Sequence, residues 1–177
     1  AHDFVPVFGG PNAYPVKSFI DYTLECVQQG RVQLDSSIVS ERVTYHDPCN
    51  MARSGWIVEQ PRQILKSFVR DFVEMQPHGR LNYCCGGGGG LVSMDETYEF
   101  RMTVAGKVKA DQIRRTEAEI VVAPCANCKK QLKELVEYHE LPCRVVGLHD
   151  LVLRAIDIPG GKSARQRQSE AALAATA

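Results

Sequence analysis

Five of the seven cysteines in this 177-residue chain share a spacing that suits metal or redox chemistry. Cys49, the adjacent pair Cys84-Cys85 and the pair Cys125/Cys128 form the pattern Cys-x34-Cys-Cys-x39-Cys-x2-Cys. An odd cysteine count with no basic-then-apolar signal run makes a poor disulfide framework. In a reducing compartment such clustering points to metal or redox work instead. Cys125/Cys128 alone fits a thioredoxin-like redox pair, because a helix N-terminus stabilises thiolate. It also fits half of a zinc site. The adjacent pair weighs against a structural zinc, which favours Cys-x2–4-Cys pairs. A multi-iron cluster can use both neighbours, because its irons are spread over several ångströms, and five thiols exceed the four of an ordinary cubane.

Five glycines, Gly86 to Gly90, follow the adjacent pair. Glycine lets backbone N–H groups approach an anionic centre and adopt positive φ. Gly86, Gly87 and Gly88 are therefore candidate contacts to a bound cofactor. A nucleotide-binding loop is disfavoured: Leu91-Val92-Ser93 follow the glycines, where a Walker sequence needs Lys-Ser/Thr. Gly161-Lys162-Ser163 ends like such a loop, but Ile156 stands where its first glycine belongs.

These cysteines need elements to position them. Phe19, Ile20, Leu24 and Val27 recur at helical spacing, and Gly30 stops the run. Val43-Thr44-Tyr45 is β-prone and leads into His46-Asp47-Pro48-Cys49. A helix is predicted from near Pro61, with Ile64, Leu65, Phe68, Val69, Phe72 and Val73 as its apolar stripe. Leu81-Asn82-Tyr83 reads as a short strand and 96–116 as one long helix. Ile120-Val121-Val122-Ala123 has the look of a buried parallel strand, and a helix carrying Leu132, Leu135 and Val136 follows Cys128. Arg144–Gly147 reads as the last strand, and Leu151–Ile156 as a short helix. Alternating strands and helices predict an α/β fold, a largely parallel sheet flanked by helices, with cysteines at the C-terminal ends of strands, where α/β sheets bind ligands. The organisation expected is a lead-in with a helix over 1–42, the cysteine-bearing domain over 43–158 and a mobile tail over 159–177.

Composition narrows the function classes. Lys+Arg and Asp+Glu number 21 each, so the basic footprint of a nucleic-acid binder is missing. No apolar run reaches the roughly 18–20 residues that span a membrane. Buried free cysteine is common, so Cys26 and Cys143 read as structural, with Cys143 on the far side of the sheet from the patterned sulfurs. His46 stands beside Cys49 and suits either a loop-fixing hydrogen bond or proton donation to a leaving thiolate. His139 and His149 read as helix-end residues, Lys129 and Lys130 as solvated, and Trp56 and Met51 as core.

His46-Asp47-Pro48-Cys49, Tyr83-Cys84-Cys85 with Gly86 to Gly90, and Ala123-Pro124-Cys125-Ala126-Asn127-Cys128 together resemble the CCG cysteine-rich domain found in the B and D subunits of heterodisulfide reductase. The glycine run and Asn127 look most like the catalytic subunit of sulfite-reductase-associated redox complexes (DsrK-like). The resemblance covers about Val43 to Ile156. It implies a noncubane [4Fe-4S] cluster held by Cys49, Cys84, Cys85, Cys125 and Cys128, which reduces a disulfide or oxidises a dithiol. It implies partners as well: an upstream iron–sulfur region, other redox-complex subunits and a disulfide or dithiol substrate, protein or small thiol. It further implies a cytoplasmic location at the membrane face, reached only through a partner subunit. With Ala1 in place of an initiator Met, the chain reads as the C-terminal part of a longer subunit, inactive alone. Two alternatives stand beside this: a pure electron-transfer subunit of 2-hydroxyacid or glycerol-3-phosphate oxidation, and a zinc-stabilised interaction domain.

Overall fold

The computed structural model describes residues 17–157 and 162–175. Its centre is a four-stranded, all-parallel sheet in the order β3-β2-β4-β5. The strands are β2 (Val43–Tyr45), β3 (Phe72–Val73), β4 (Ile120–Val122) and β5 (Arg144–Val146). β1 (Gln33–Leu34) and β6 (Ile156–Asp157) form a separate antiparallel pair. The helices are α1 (Phe19–Gln28), α2 (Glu59–Lys66), α3 (Lys107–Arg114), α4 (Ala126–Tyr138), α5 (Leu148–Ala155) and α6 (Ala164–Ala175). The α/β class expected from the sequence is the one observed.

Strand alternation sorts the core into two layers. Val43, Tyr45, Ile120 and Val122 face α1, α2 and α5, where Ile20, Ile64, Leu65, Leu148 and Leu151 complete one cluster. Val121, Ala123 and Val145 face the other way, onto Ala110 and Ile113 of α3 and Leu132 and Leu135 of α4. Both faces of β4 are therefore covered, which is why its sequence is an unbroken apolar run. Cys85 and Cys128 are members of this second layer. α1 and β1, from the segment read as a lead-in, pack onto the same body as the rest: Ile20 and Leu34 join the first cluster.

Three local expectations are corrected. Phe72 and Val73 do not extend the preceding helix: α2 ends at Lys66, and the pair forms β3 beside Val43 and Thr44. A partner strand satisfies their backbone, and that outweighs the helical spacing of their side chains. Leu81-Asn82-Tyr83 is no strand; Gly79–Leu81 is a 3-10 turn, because Asn82 is drawn inward by buried polar partners while Leu81 is 77% exposed. The single helix expected over 96–116 is divided into a 3-10 turn at Asp95–Thr97, one α turn at Tyr98–Phe100, a wide π turn at Arg101–Ala105 and then α3. Gly106 makes the break: a Cβ there would lie 2.6 Å from the Arg101 carbonyl oxygen and 2.7 Å from Leu135. The tail segment, too, carries α6, whose Ala164 is buried and donates its N–H to Asp157 Oδ1 at 2.7 Å; residues 158–161, 176 and 177 lie outside the described ones.

A buried ion pair fixes the loop after β2. Arg62 of α2, its side chain 3% exposed, donates Nη1 and Nη2 to the two Asp47 carboxylate oxygens at 2.8 Å each. It also donates to both oxygens of Glu74, just beyond β3. Asp47 Oδ2 accepts in addition from the Gly79 N–H at 2.7 Å. Removing one partner of such a pair leaves an uncompensated buried charge. Arg62→Met is expected to destabilise the chain by about 3–5 kcal/mol. Asp47→Asn with Arg62→Met together should cost markedly less than the sum of the single changes. Urea unfolding of the four chains reads this out, and strict additivity would refute it.

Candidate metal centre

β2 and β4 are paired in register, and the His46 N–H extends their ladder by donating to the Val122 carbonyl at 2.9 Å. Both strands thus end side by side, one leading to Cys49 and the other to Cys125. Cys125 is the N-cap residue of α4, and Cys128 follows in its first turn. Cys84-Cys85 follow the 3-10 turn rather than a strand, so the strand-end expectation does not extend to this pair. Arg53, in the turn after Cys49, donates to the carbonyls of Arg80 and Asn82 and ties the two cysteine-bearing segments together.

At the centre, Cys85 Sγ and Cys128 Sγ lie 3.5 Å apart. A ring nitrogen of His46 completes a group whose three ligand atoms lie within 4.8 Å of one another, all from buried residues. Cys84 is exposed beside them, and its sulfur accepts the Gly86 N–H at 3.4 Å. Cys49 and Cys125 are half-buried. Cys143 precedes β5 at the end of the sheet opposite Cys125, since Ile120 pairs with Arg144 and Val122 with Val146. Cys26 sits on α1, against the other face of the sheet.

The glycine run divides. Gly86 has φ +89°, and a Cβ there would meet the Ala105 carbonyl carbon and the Gly106 nitrogen at 2.9 Å. A Cβ on Gly87 would lie 2.9 Å from Gln131 of α4. Both glycines let the Cys84-Cys85 loop pass tightly between the π turn and α4. Gly88 has no neighbour within 4 Å and an ordinary φ.

Electrostatics single out residues that the cysteine pattern does not mark. Lys109 of α3 is fully buried, with Nζ 2.6 Å from Asn82 Oδ1, bonded to Gln112 Oε1 and 3.7 Å from Met75 Sδ. Among the described residues no carboxylate pairs with it, and burial pushes its ammonium down to about 7, against the pull of Asp47 and of Cys85, Cys84 and Cys128 as thiolates. The hydrogen bond to Cys128, with burial added, pushes the Cys85 thiol up to about 11. A hydrogen bond to Cys85, and then burial, raises Cys84 as well. Burial and the charge of Lys109 hold His46 well below the ordinary imidazole range. His46 Nδ1 faces Asn82 Nδ2 at 3.3 Å, whereas His46 Nε2 is buried with no partner. Only one sign in the sequence marks Lys109: with Gln112 it stands at helical spacing beside Ala110 and Ile113, on the face that must be buried.

An anionic, sulfur-ligated group fits this donor set. Two buried thiols in contact, an orphaned imidazole nitrogen and a buried ammonium without a carboxylate together favour negative charge between them. The other candidates fall elsewhere. Lys129 pairs with Asp150 at 3.1 Å and Lys130 donates to the Val92 carbonyl at 2.9 Å. His139 bonds the Met102 carbonyl and His149 bonds Thr23, each at 3.0 Å. Met51 packs on the first core cluster. Trp56 does not: it is 62% exposed, with the Arg80 guanidinium stacked 3.7 Å from its ring centroid.

The family model for the CCG cysteine-rich domain matches residues 43–133, and the chain belongs to that family. It is 32% identical over 143 residues to an Hdr-like menaquinol oxidoreductase iron-sulfur subunit 2 of Archaeoglobus fulgidus, covering 77% of this chain and 26% of the relative. A probable membrane-anchored ferredoxin of Chromohalobacter salexigens is 35% identical over 123 residues, 70% of this chain and 18% of that one. The D subunit of the dihydromethanophenazine:CoB–CoM heterodisulfide reductase of Methanosarcina mazei is 26% identical over 157 residues, 88% and 37% respectively. The chain thus spans about a quarter of the length of the first of these relatives. No solved structure matches. Among the described residues no helix is long and apolar enough to cross a membrane.

The two kinds of glycine give a stability test. Gly86→Ala combines a left-handed φ with a backbone clash and is expected to cost at least about 1–3 kcal/mol. Gly88→Ala should stay within about 0.5 kcal/mol of the parent. Denaturant midpoints of the reduced, metal-free chain measure both, and equal costs would refute the packing argument.

Proposed function

We propose that this chain is an iron–sulfur oxidoreductase module in which Cys49, Cys84, Cys85, Cys125 and Cys128 hold a noncubane [4Fe-4S] cluster. The observation that carries the reading is the buried Cys85–Cys128 sulfur pair with a ring nitrogen of His46 within 4.8 Å of it, all three residues buried. When bound, such a cluster supplies one-electron transfer to and from substrate sulfur. The residues do the rest. Buried Cys85 and Cys128 anchor the centre, and exposed Cys84 keeps one edge of it open to solvent. Trp56, Leu81 and Tyr83, all exposed, give that edge an apolar rim on which a disulfide or dithiol substrate can rest. The N–H groups of Gly86 and Gly87, with Gly88 beyond them, supply donors around the Cys84 and Cys85 sulfurs. His46, expected as a proton donor, contributes a hydrogen bond to a leaving thiolate, since burial keeps its ring uncharged.

The relatives' names extend the proposal to partners. Subunits of heterodisulfide reductase and menaquinol oxidoreductase work beside other subunits, and this chain is proposed to dock on an upstream iron–sulfur region and such partners at the cytoplasmic face of a membrane. A second reading is electron transfer without sulfur chemistry, favoured by relatives named as a ferredoxin and an EtfAB:quinone oxidoreductase.

Anaerobic reconstitution with iron and sulfide tests the proposal. The parent chain is expected to hold about four irons and to give an electron paramagnetic resonance signal when oxidised. Cys85→Ser should lose or reshape that signal, because the thiolate is the ligand, while Cys143→Ser should keep it. Zinc without iron uptake would refute the cluster. A spectrum that changes when a disulfide is added supports sulfur chemistry, and an unchanged one leaves electron transfer alone.

A further inference from the structure

A chain of polar side chains crosses the second core layer and ends at His46, a ring nitrogen of which lies within 4.8 Å of the Cys85 and Cys128 sulfurs. It begins at Gln112, whose Nε2 donates to the Pro77 carbonyl at 2.6 Å, leaving Oε1 for Lys109. Lys109 Nζ has donors only. The Asn82 atom facing it at 2.6 Å is therefore the amide oxygen. That places Asn82 Nδ2 on the other side, where it donates to the Asp47 carbonyl at 3.0 Å and faces His46 Nδ1 at 3.3 Å. A group that donates must meet a lone pair, so His46 Nδ1 carries no hydrogen. The ring hydrogen is then on Nε2, the buried nitrogen with no protein partner.

We propose that Lys109 and Asn82 are positioning residues that lock His46 as an Nε2–H donor toward the sulfurs of Cys85 and Cys128, and so raise the reduction potential of whatever group those sulfurs bind. The physical basis is that hydrogen bonds to sulfur, and positive charge nearby, stabilise the more negative reduced state. Every polar atom along the chain from Pro77 to His46 has one role only, and Asn82 is held from two sides. Lys109 has no exposed surface, and two amide oxygens and the Met75 sulfur are its polar neighbours. The potential half of the proposal rests on the reading of the site as an iron–sulfur centre; the tautomer half does not.

The test therefore has two readouts on the 177-residue chain. Long-range proton–nitrogen-15 correlation on the reduced, metal-free protein reports which His46 nitrogen carries hydrogen. The parent is expected to show the Nε2–H form. Asn82→Asp replaces the donor facing Nδ1 by an acceptor, keeps Lys109 partnered, and should move the hydrogen to Nδ1. After iron–sulfide reconstitution, Asn82→Asp and Lys109→Met should each shift the reduction equilibrium about tenfold toward the oxidised form, about 59 mV downward for one electron. A parent with hydrogen on Nδ1 overturns the proposal, and that measurement needs no variant to fold. A folded Asn82→Asp chain that keeps Nε2–H overturns it too. Iron-loaded variants with the parent's potential overturn it while leaving the cluster reading intact. A parent that binds no iron ends the cluster reading, and the two tautomer spectra then decide the lock alone.

Discussion

The buried pair of Arg62 with Asp47 is the constraint on which the site depends. One guanidinium holds the loop after β2, the segment after β3 and, through Asp47, the backbone at Gly79. Those three pieces are the ones that carry His46 and Cys49 and deliver Asn82, Cys84 and Cys85. A buried ion pair adds little net stability over a well-packed apolar replacement, because desolvation offsets its attraction. Its contribution is positional: a bidentate fork on Asp47 and a second contact on Glu74 admit few alternative geometries. Tyr45, whose ring lies 5.4 Å from the same guanidinium, closes the pair from the first core layer.

The two layers of the core are chemically unlike. On the α1, α2 and α5 side the core cluster is aliphatic and aromatic, apart from the buried Arg62 of α2 and Thr23 of α1, and its packing supplies the apolar burial that holds the sheet. On the α3 and α4 side the same sheet faces thiols, a lysine, a histidine and three amides. Such a layer is costly unless each polar group is matched. Most are: Lys109, Asn82, Gln112 and Gln131 all have partners, Gln131 accepting from buried Arg101. Among the described residues, Thr44 Oγ1, Tyr45 Oη and Arg101 Nε are buried without a partner, as is one nitrogen of His46. His46 Nε2 is orphaned, Cys85 is held up to about 11 by its bond to Cys128 and by burial, and Lys109 is held down to about 7 by burial.

How much of this the sequence discloses depends on whether a residue's role shows in a period or a spacing. β4 and α4 are readable because Ile120 to Ala123 and Leu132, Leu135 are apolar in the order their elements require. Cys125 and Cys128 are readable because a short spacing puts both at one helix start. β3 is not, since Phe72 and Val73 continue a helical stripe and only the neighbouring β2 decides otherwise. The break at Gly106 is invisible for a similar reason: what forbids a side chain there is Leu135, 29 residues further on. Lys109 is marked only by its helical spacing beside Ala110 and Ile113 and Asn82 by nothing, and only the fold shows that they meet. Trp56 errs the other way, a large aromatic that is exposed rather than packed in the core.

The adjacent cysteines carry the last step. Two neighbours in sequence part company here: Cys85 is 4% exposed and packed with Met75, Met102 and Cys128, whereas Cys84 is open to solvent. A pair separated by two residues, such as Cys125 and Cys128, lies on one helical turn and addresses a centre from one side. An adjacent pair instead straddles the protein surface, one sulfur fixed inside and the other reachable from outside. Gly86 makes that straddling possible, since only a residue without Cβ can turn the chain back under Ala105 and Gly106 immediately after Cys85. Cys85 and Cys128 are thus fixed inside the second core layer, while Cys84 stays at the solvent boundary. That arrangement accounts for the order of the motif itself: paired thiols first, then the glycine that has no room for a side chain.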